Sequence, residues 1–552
     1  MCDPEDKGVS MTRLVTALAV LSACGTGGST PAAPSAGDPV LHRLTEAQVN
    51  NALRDLFLVG NLPQVTLPRD IPVDGFENNA LVRDVTPYVV ESLQRDFLAV
   101  SAAAMDNEGG WMTCGPAEAG CAERTLEVLQ QRAWRRPATD EERSWLLGLY
   151  QGWEASEGAE VALALSIQVL LQSPDFLYLV ETPDDGLSDF EVATRMSFFL
   201  WDSMPDAELF RAAAAGELKD RTKAVDQARR MFVDPRARQA VRDFHRQWLD
   251  YRAIGDIKLD ESVYFPSAEG EEGGYLLSEY RIAFEGEIDA FVDSMVFGPG
   301  TLDSLLTSRD TWVSPLTAEL YGATVAPDSP VRTEVRRLGA DIARVPLRQA
   351  RLPAEQRAGI LTTGGFLASH AHPVQPSPVL RGVFIRERLM CVPTPKPPDD
   401  VPPLEESDDA APRTNRDRYA EHTNNVACRS CHESIDGAGF PFENYDSLGG
   451  WRTEDNGFPV DSSGAVVGTD VDRPVTDAVD MIETLAGSRQ VHDCMVTQWF
   501  RYATHRTETE ADAAALAVLQ DNFWASGGSI PNLLVDIATA DFFLDQTPGG
   551  AQ

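Results

Sequence analysis

Positive charge is the scarcest commodity in this chain. Lys and Arg number 47 against 85 Asp and Glu, a formal net charge of −38. A surface of that sign repels nucleic acid and anionic lipid and favours a cationic partner. Beyond the N-terminus the sequence has no long hydrophobic run, so no later segment is expected to cross a membrane. Strand-type alternation is rare, being confined to residues 331–344 and 458–467, and no internal repeat is apparent. A Walker loop, a dinucleotide fingerprint, H-E-x-x-H and a nucleophile elbow are all missing, so none of those chemistries is expected.

Cysteine is sparse as well, which gives its positions weight. Cys428-Arg429-Ser430-Cys431-His432 forms C-x-x-C-H, the attachment signature of a c-type haem. With 8 Cys and 8 His in 552 residues, random placement yields roughly 0.002 such pentapeptides. On a helix the three residues fall at i, i+3 and i+4 and share one face. Two thioethers would then hold the porphyrin edge while His432 supplies the axial imidazole. Two other readings use the same residues. One is a surface disulfide with an incidental His; the other is a zinc half-site, for which the neighbourhood offers no second Cys pair.

The N-terminus points to export, where covalent haem attachment belongs. From Met11 the chain reads MTRLVTALAVLSACGTGG, with Leu21-Ser22-Ala23-Cys24 as a lipobox. The apolar run is too short to span a bilayer and reads as a lipoprotein signal, with Cys24 as the lipidated first mature residue. The acidic MCDPEDKGVS before it is unlike a signal, so translation is expected to begin at Met11. Gly25 after the lipidated Cys favours the outer membrane, on its periplasmic or cell-surface side. Residues 24–40 read as a flexible tether. The lipid on Cys24 is the one expected membrane contact. Cys114 and Cys121 are close enough for a local disulfide in an exported protein, leaving Cys391 and Cys494 for an inter-domain bridge.

Helix signals dominate the remainder. Thr45, Thr139 and Ser188 open capping boxes ahead of apolar-periodic runs. Residues 159–172 are almost wholly apolar and read as a buried helix ending before Ser173-Pro174. Amphipathic runs cover 223–250, 280–297 and 476–505, and residues 391–413 form a proline-rich acidic arm. The expected fold is mostly α: a multi-helical body, a C-terminal cytochrome c-like haem module and little β structure.

Several of these stretches resemble a bacterial exported cytochrome-like lipoprotein family built from domains of unknown function numbered 1587, 1595, 1592, 1588 and 1585. Leu44 to Leu56 (LTEAQVNNALRDL) resembles the first. Arg132-Ala133-Trp134-Arg135-Arg136-Pro137 and Leu170 to Tyr178 (LLQSPDFLY) resemble the second. Ser197-Phe198-Phe199-Leu200-Trp201, Phe244-His245-Arg246-Gln247-Trp248-Leu249 and Leu320-Tyr321-Gly322 resemble the third. Ser377-Pro378-Val379-Leu380-Arg381-Gly382, the C-x-x-C-H and Gly439 to Asp446 (GFPFENYD) resemble the fourth, and Tyr502 to Arg506 (YATHR) the fifth. With the lipoprotein signal at 1–23, the resemblance implies helical modules at 41–110, 111–182 and 187–325, a haem-binding module at 355–470 and a closing helical module at 471–548. Where the family reads D-P-x-G-F, this chain has Asp436-Gly437-Ala438-Gly439-Phe440; without the Pro a more flexible turn is expected.

The sixth iron ligand decides the chemistry: Met or His gives electron transfer, and an open position allows peroxide or O₂ chemistry. Met481 and Met495 lie the right distance downstream, although a Met and aromatic stripe along His492, Met495, Trp499 and Tyr502 also describes plain core. His422 reaches the haem only if Asn424-Asn425 breaks the helix; otherwise it faces about 120° away. His370 and His372 form a small cluster on an expected loop, and His245 and His42 read as core or surface histidines. Arg452 is a candidate partner for a haem propionate. Glu443, Asn444, Asp446, Asp455 and Asp461 offer oxygen ligands but match no EF-hand spacing.

Three functions compete: an outer-membrane or periplasmic lipoprotein carrying one haem c in electron transfer to a possibly basic redox partner; a haem-dependent, peroxidase-like or oxidase-like oxidoreductase with a substrate site in the helical body; and a non-haem binding or scaffold lipoprotein. The export reading makes its own prediction. Cys24→Ser is expected to abolish labelling by a radioactive fatty acid and release the protein from membrane fractions, and unchanged membrane recovery would contradict the anchor.

Overall fold

Side-chain caps determine where the helices begin. Thr45, Thr139 and Ser188 each accept the backbone N–H three residues on, and Gln48, Glu142 and Glu191 return a bond to the cap's own N–H, so helices Glu46–Phe57, Asp140–Glu157 and Asp189–Trp201 start where the capping pattern requires. The structure is a computed structural model that describes residues 42–544, apart from 69, 80–84, 108–109, 113, 116–117, 119, 182–185, 269–271, 339–340, 396–412 and 425. The signal, the tether, Cys24 and most of the proline-rich arm therefore lie outside the described residues. Among those described, no helix is long and apolar enough to cross a membrane.

The fold is mostly α. Helices Glu46–Phe57, Pro87–Asp106, Cys121–Trp134, Asp140–Glu157 and Ala159–Leu171 enclose a first core around Leu53, Phe97, Leu129 and Ile167. Cys114 and Cys121 are joined by a disulfide at the entry to the third of these helices, with Cα atoms 5.7 Å apart. A second, larger core runs from Leu187 to Leu544 and takes in Phe76 from the first region. The segments expected as a haem module and a closing module therefore share one hydrophobic interior with the third. Trp201, Trp248 and Trp499 are fully buried in it. Phe244 stacks face to face on Trp499 with centroids 3.5 Å apart.

Two expected helices are broken, each for a local reason. Residues 223–250 form Arg221–Val233 and Ala237–Trp248, because Pro235 lacks the N–H that a continuous helix needs. Residues 476–505 form Ala478–Ala486 and Arg489–Thr504, parted by Gly487 and by Ser488, whose hydroxyl caps the second helix at Val491. The run 331–344 takes in strand Val331–Leu338 and the start of Asp341–Arg351, which pair antiparallel, and Asp310–Val313 joins the other edge of that longer strand; the run 458–467 holds only the short strands Phe458–Pro459 and Gly464–Val466, each paired with a different partner. The sheet packs on helix Glu272–Val296.

Beneath the sheet lies a buried ionic network. Asp289 and Asp293, both buried, hold Arg246, Arg242 and Arg332, with Arg242 Nη2 and Arg332 Nη2 each 2.6 Å from Asp293 Oδ2. It accounts for much of the F-H-R-Q-W stretch. Phe244 and Trp248 fill the core, Arg246 pairs with Asp289, and Gln247 accepts the backbone N–H of Glu77 at 2.7 Å. His245 is fully buried, its Nδ1 2.7 Å from the Val241 carbonyl, and burial pushes its pKa down to about 4; it is a core histidine.

Another buried carboxylate joins this region to the haem-motif segment. Glu287 accepts the Ser314 N–H at 2.8 Å and bonds to the hydroxyls of Thr317 and Tyr321, and the Tyr321 oxygen in turn accepts the Gly364 N–H at 2.8 Å. Desolvation outweighs these donors and pushes the Glu287 pKa from 4.5 to about 8. Between those values the folded chain holds a proton that the unfolded chain has released, so stability falls as pH rises through the window, with a slope approaching about 1.4 kcal/mol per pH unit. Glu287→Gln is expected to flatten that slope in urea titrations between pH 5 and 8, and an unchanged slope would contradict the assignment.

Candidate haem site

The motif occupies one helix. Val426–Gly439 carries Cys428, Cys431 and His432 at i, i+3 and i+4, so the three positions lie on one helical face. The side chains of Cys428 and Cys431 lie outside the described residues, as does that of His422. Helix Asn415–Asn424 precedes it, and residue 425 between the two helices lies outside the described residues, as does the expected break at Asn424-Asn425.

The ring of His432 is described. Its Nδ1 lies 3.1 Å and 3.3 Å from the two carboxylate oxygens of Asp436, one turn further along the helix. Asp436 is 1% exposed, whereas the His432 side chain keeps 22% of its surface open. This hydrogen bond raises the pKa of the imidazole, against the opposing effect of its burial. A neutral His432 donating from Nδ1 carries its lone pair at Nε2, as a metal-binding imidazole requires. The donor chemistry thus fits a haem whose iron is held through Nε2.

Close backbone approach fixes this helix in place. A Cβ on Gly382 would collide with the Ile435 carbonyl, and one on Gly439 with the Pro378 carbonyl, so helix Pro378–Phe384 crosses Val426–Gly439 at a distance that only glycine permits. The expected flexible turn at 436–440 is instead the end of the helix, followed directly by the 3₁₀ segment Phe440–Asn444. With no Pro at position 437, the helical hydrogen-bond pattern continues to Gly439.

Two fully buried arginines bind the loop beyond. Arg381 donates to the carbonyls of Phe442, Tyr445, Leu367 and Asp446 at 3.0–3.2 Å, and burial pulls its pKa down to about 10. Arg357 donates to the carbonyls of Thr362 and Gly449 and sits over the rings of Tyr321 and Tyr445, 4.5 and 5.2 Å from their centroids. The S-P-V-L-R-G stretch gave no sign of this role; a lone Arg in an apolar helical context was the available signal.

The other candidates are dispersed. Arg452 engages all three guanidinium nitrogens within the protein: Nη2 with Glu443 at 3.0 Å, Nη1 with Asp455 at 2.9 Å and Nε with the Glu443 carbonyl. Glu443 also accepts from Asn415, and burial still pushes its pKa up. Asp461 pairs with Arg416, and Asp446 accepts the Gly450 N–H. These oxygens therefore serve arginines and turns, and among the described residues no group of three or more His, Cys, Asp or Glu is placed to hold a metal ion. Met481 and Met495 are buried in the large core, at 0% and 2% exposure. The Met481 helix packs on strand Gly464–Val466, which also meets the motif helix, and the Met495 helix packs on the π-turn Ile385–Leu389. His370 is buried, with its Nδ1 2.9 Å from the Phe366 carbonyl and its ring against Phe366 and Phe384. A polar pocket of about 390 Å³ lies elsewhere, lined by Asn50, Asn51, Arg54, Gln239, Asp243 and Arg246 among others.

Cys391 and Cys494 are joined by a disulfide, with Cα atoms 5.4 Å apart across 103 residues of sequence. It ties the start of the proline-rich stretch, inside the haem-motif segment, to helix Arg489–Thr504.

Five family models, each described as a protein of unknown function, match consecutive parts of the chain. They are DUF1587 at residues 42–105, DUF1595 at 121–181, DUF1592 at 187–323, DUF1588 at 357–455 and DUF1585 at 472–543. The chain belongs to the family built from these five domains. Its DUF1588 segment, whose model bears the short name PSCyt3, contains Cys428, Cys431, His432, Asp436 and Arg452. No curated protein and no solved structure matches the chain. Within the DUF1588 segment, Arg381→Met is expected to remove the side-chain donor to four carbonyl oxygens and cost about 1–3 kcal/mol in urea unfolding. Arg381→Lys is expected to recover only part of this, because one ammonium cannot reproduce the guanidinium fork; a loss below about 1 kcal/mol for the Met variant would remove Arg381 from the frame.

Proposed function

We propose that the chain carries one covalent haem c on Cys428 and Cys431, with His432 as axial ligand, and works in electron transfer as an exported lipoprotein anchored through Cys24 to the outer membrane. The observation that carries this reading is the Val426–Gly439 helix, which holds the C-x-x-C-H positions on one face with His432 Nδ1 bonded to a buried carboxylate. The short name PSCyt3 of the DUF1588 model supports it in kind. Bound haem would supply a one-electron Fe(III)/Fe(II) couple. The chain's own contribution is to fix the helix, through Gly382, Gly439 and the carbonyl-bound Arg381, and to orient the imidazole through Asp436. The net charge of −38 favours a basic redox partner.

The polar pocket is lined from the DUF1587 and DUF1592 segments, with no lining residue from the motif helix, so it lends no specific support to a substrate site at the haem. Protein exported in a host with a cytochrome c assembly system is expected to retain haem stain after denaturation and to give the pyridine haemochrome spectrum of a c-type haem. Cys431→Ser is expected to lose the two-thioether spectrum. Colourless wild-type protein from such a host would refute the proposal.

A further inference from the structure

The hydrogen bond at His432 differs from those of three other histidines on or capping helices in this molecule. His245, His370 and His492 each place Nδ1 against the backbone carbonyl four residues earlier, at 2.7–2.9 Å. His432 instead turns to a side chain, with Nδ1 against the Asp436 carboxylate four residues later. The choice is built into the fold. Asp436 lies between the buried Ile435 and the half-buried Gly437, on the helix that packs against Pro378–Phe384, and the close approach at Gly382 fixes the backbone beside it.

The two kinds of acceptor are not equivalent for a ligand of a metal. A carboxylate draws the Nδ1 proton more strongly than a carbonyl does, shifting electron density toward Nε2 and making the ring a more basic donor. A more basic axial ligand favours the higher oxidation state of the iron, so second-shell hydrogen bonding sets the midpoint potential. We propose that Asp436 is a positioning residue that locks His432 as the Nδ1–H tautomer and lowers the midpoint potential of the haem bound there. The inference rests on the haem reading above and adds a direction to it: the site is tuned toward Fe(III), suiting it to donate electrons to its partner.

Spectroelectrochemical titration of wild type, Asp436→Asn and Asp436→Glu, each matured with the assembly system and checked by far-ultraviolet circular dichroism, tests it. The Asn variant is expected to shift the Fe(III)/Fe(II) equilibrium about tenfold toward Fe(II), a rise of about 59 mV for a one-electron couple. The Glu variant keeps the anion and is expected to stay within about threefold of wild type. Asp436→Ser takes the place of the Asn variant if the amide does not mature. A charge-removing variant that binds haem with its Fe(III)/Fe(II) equilibrium within about twofold of wild type would overturn the role of Asp436 and leave the haem reading standing. Wild-type protein without covalent haem would overturn both.

Discussion

A guanidinium buried among backbone carbonyls is the constraint on which this architecture turns. Arg381 and Arg357 are fully buried, and between them they donate to carbonyls of Leu367, Phe442, Tyr445, Asp446, Thr362 and Gly449. Arg135 repeats the arrangement in the first core, bonding the carbonyls of Ala133, Phe176, Asp175 and Tyr178. Irregular chain can be buried only where its carbonyls find donors. A planar side chain with five N–H groups satisfies several at once, so each of these arginines gathers a non-helical stretch into the interior. Phe442, Tyr445, Asp446 and Gly449 lie just beyond the motif helix, and Arg381 and Arg357 thereby tie the chain leaving that helix to the segment around Thr362 and Leu367 that precedes it.

Five domain families here do not mean five cores. The DUF1587 and DUF1595 segments enclose one hydrophobic interior, and the DUF1592, DUF1588 and DUF1585 segments share another. Connections between segments are polar as well as apolar. Glu287 and Tyr321 reach Gly364 from the DUF1592 side, and the Asn78 amide donates to the Tyr502 carbonyl at 2.8 Å across most of the sequence. Domain names mark sequence units here, while cooperative unfolding is expected to follow the cores.

How much of this the residues declared in advance depends on whether the governing interaction is local. The capping boxes at Thr45, Thr139 and Ser188 were legible because cap and acceptor lie within one turn. The helical register of C-x-x-C-H was legible for the same reason. Helix breaks at Pro235 and Gly487 are hidden in the sequence because apolar periodicity continues across both while the helix does not. Asp436 is open to local reasoning, since a His followed four residues later by Asp meets it on a helix, although the glycines after it read as a turn. The roles of Arg381 and Arg452 depend on partners brought near by folding, 14–65 residues from Arg381 in sequence and, for the Arg452 ion pairs, on a loop geometry that no spacing rule specifies.

The disulfide between Cys391 and Cys494 encloses the whole motif helix. On the haem reading, the chain then asks opposite things of its thiols: Cys428 and Cys431 must arrive reduced at the ligating enzyme, while the two cysteines flanking them in sequence must oxidise with each other. The adjacent pair is by far the easier to join by chance, because closing a short loop loses less chain entropy than closing one of 103 residues. Maturation is therefore a problem of order, in which porphyrin capture has to come before, or be shielded from, the oxidant that closes the outer clasp.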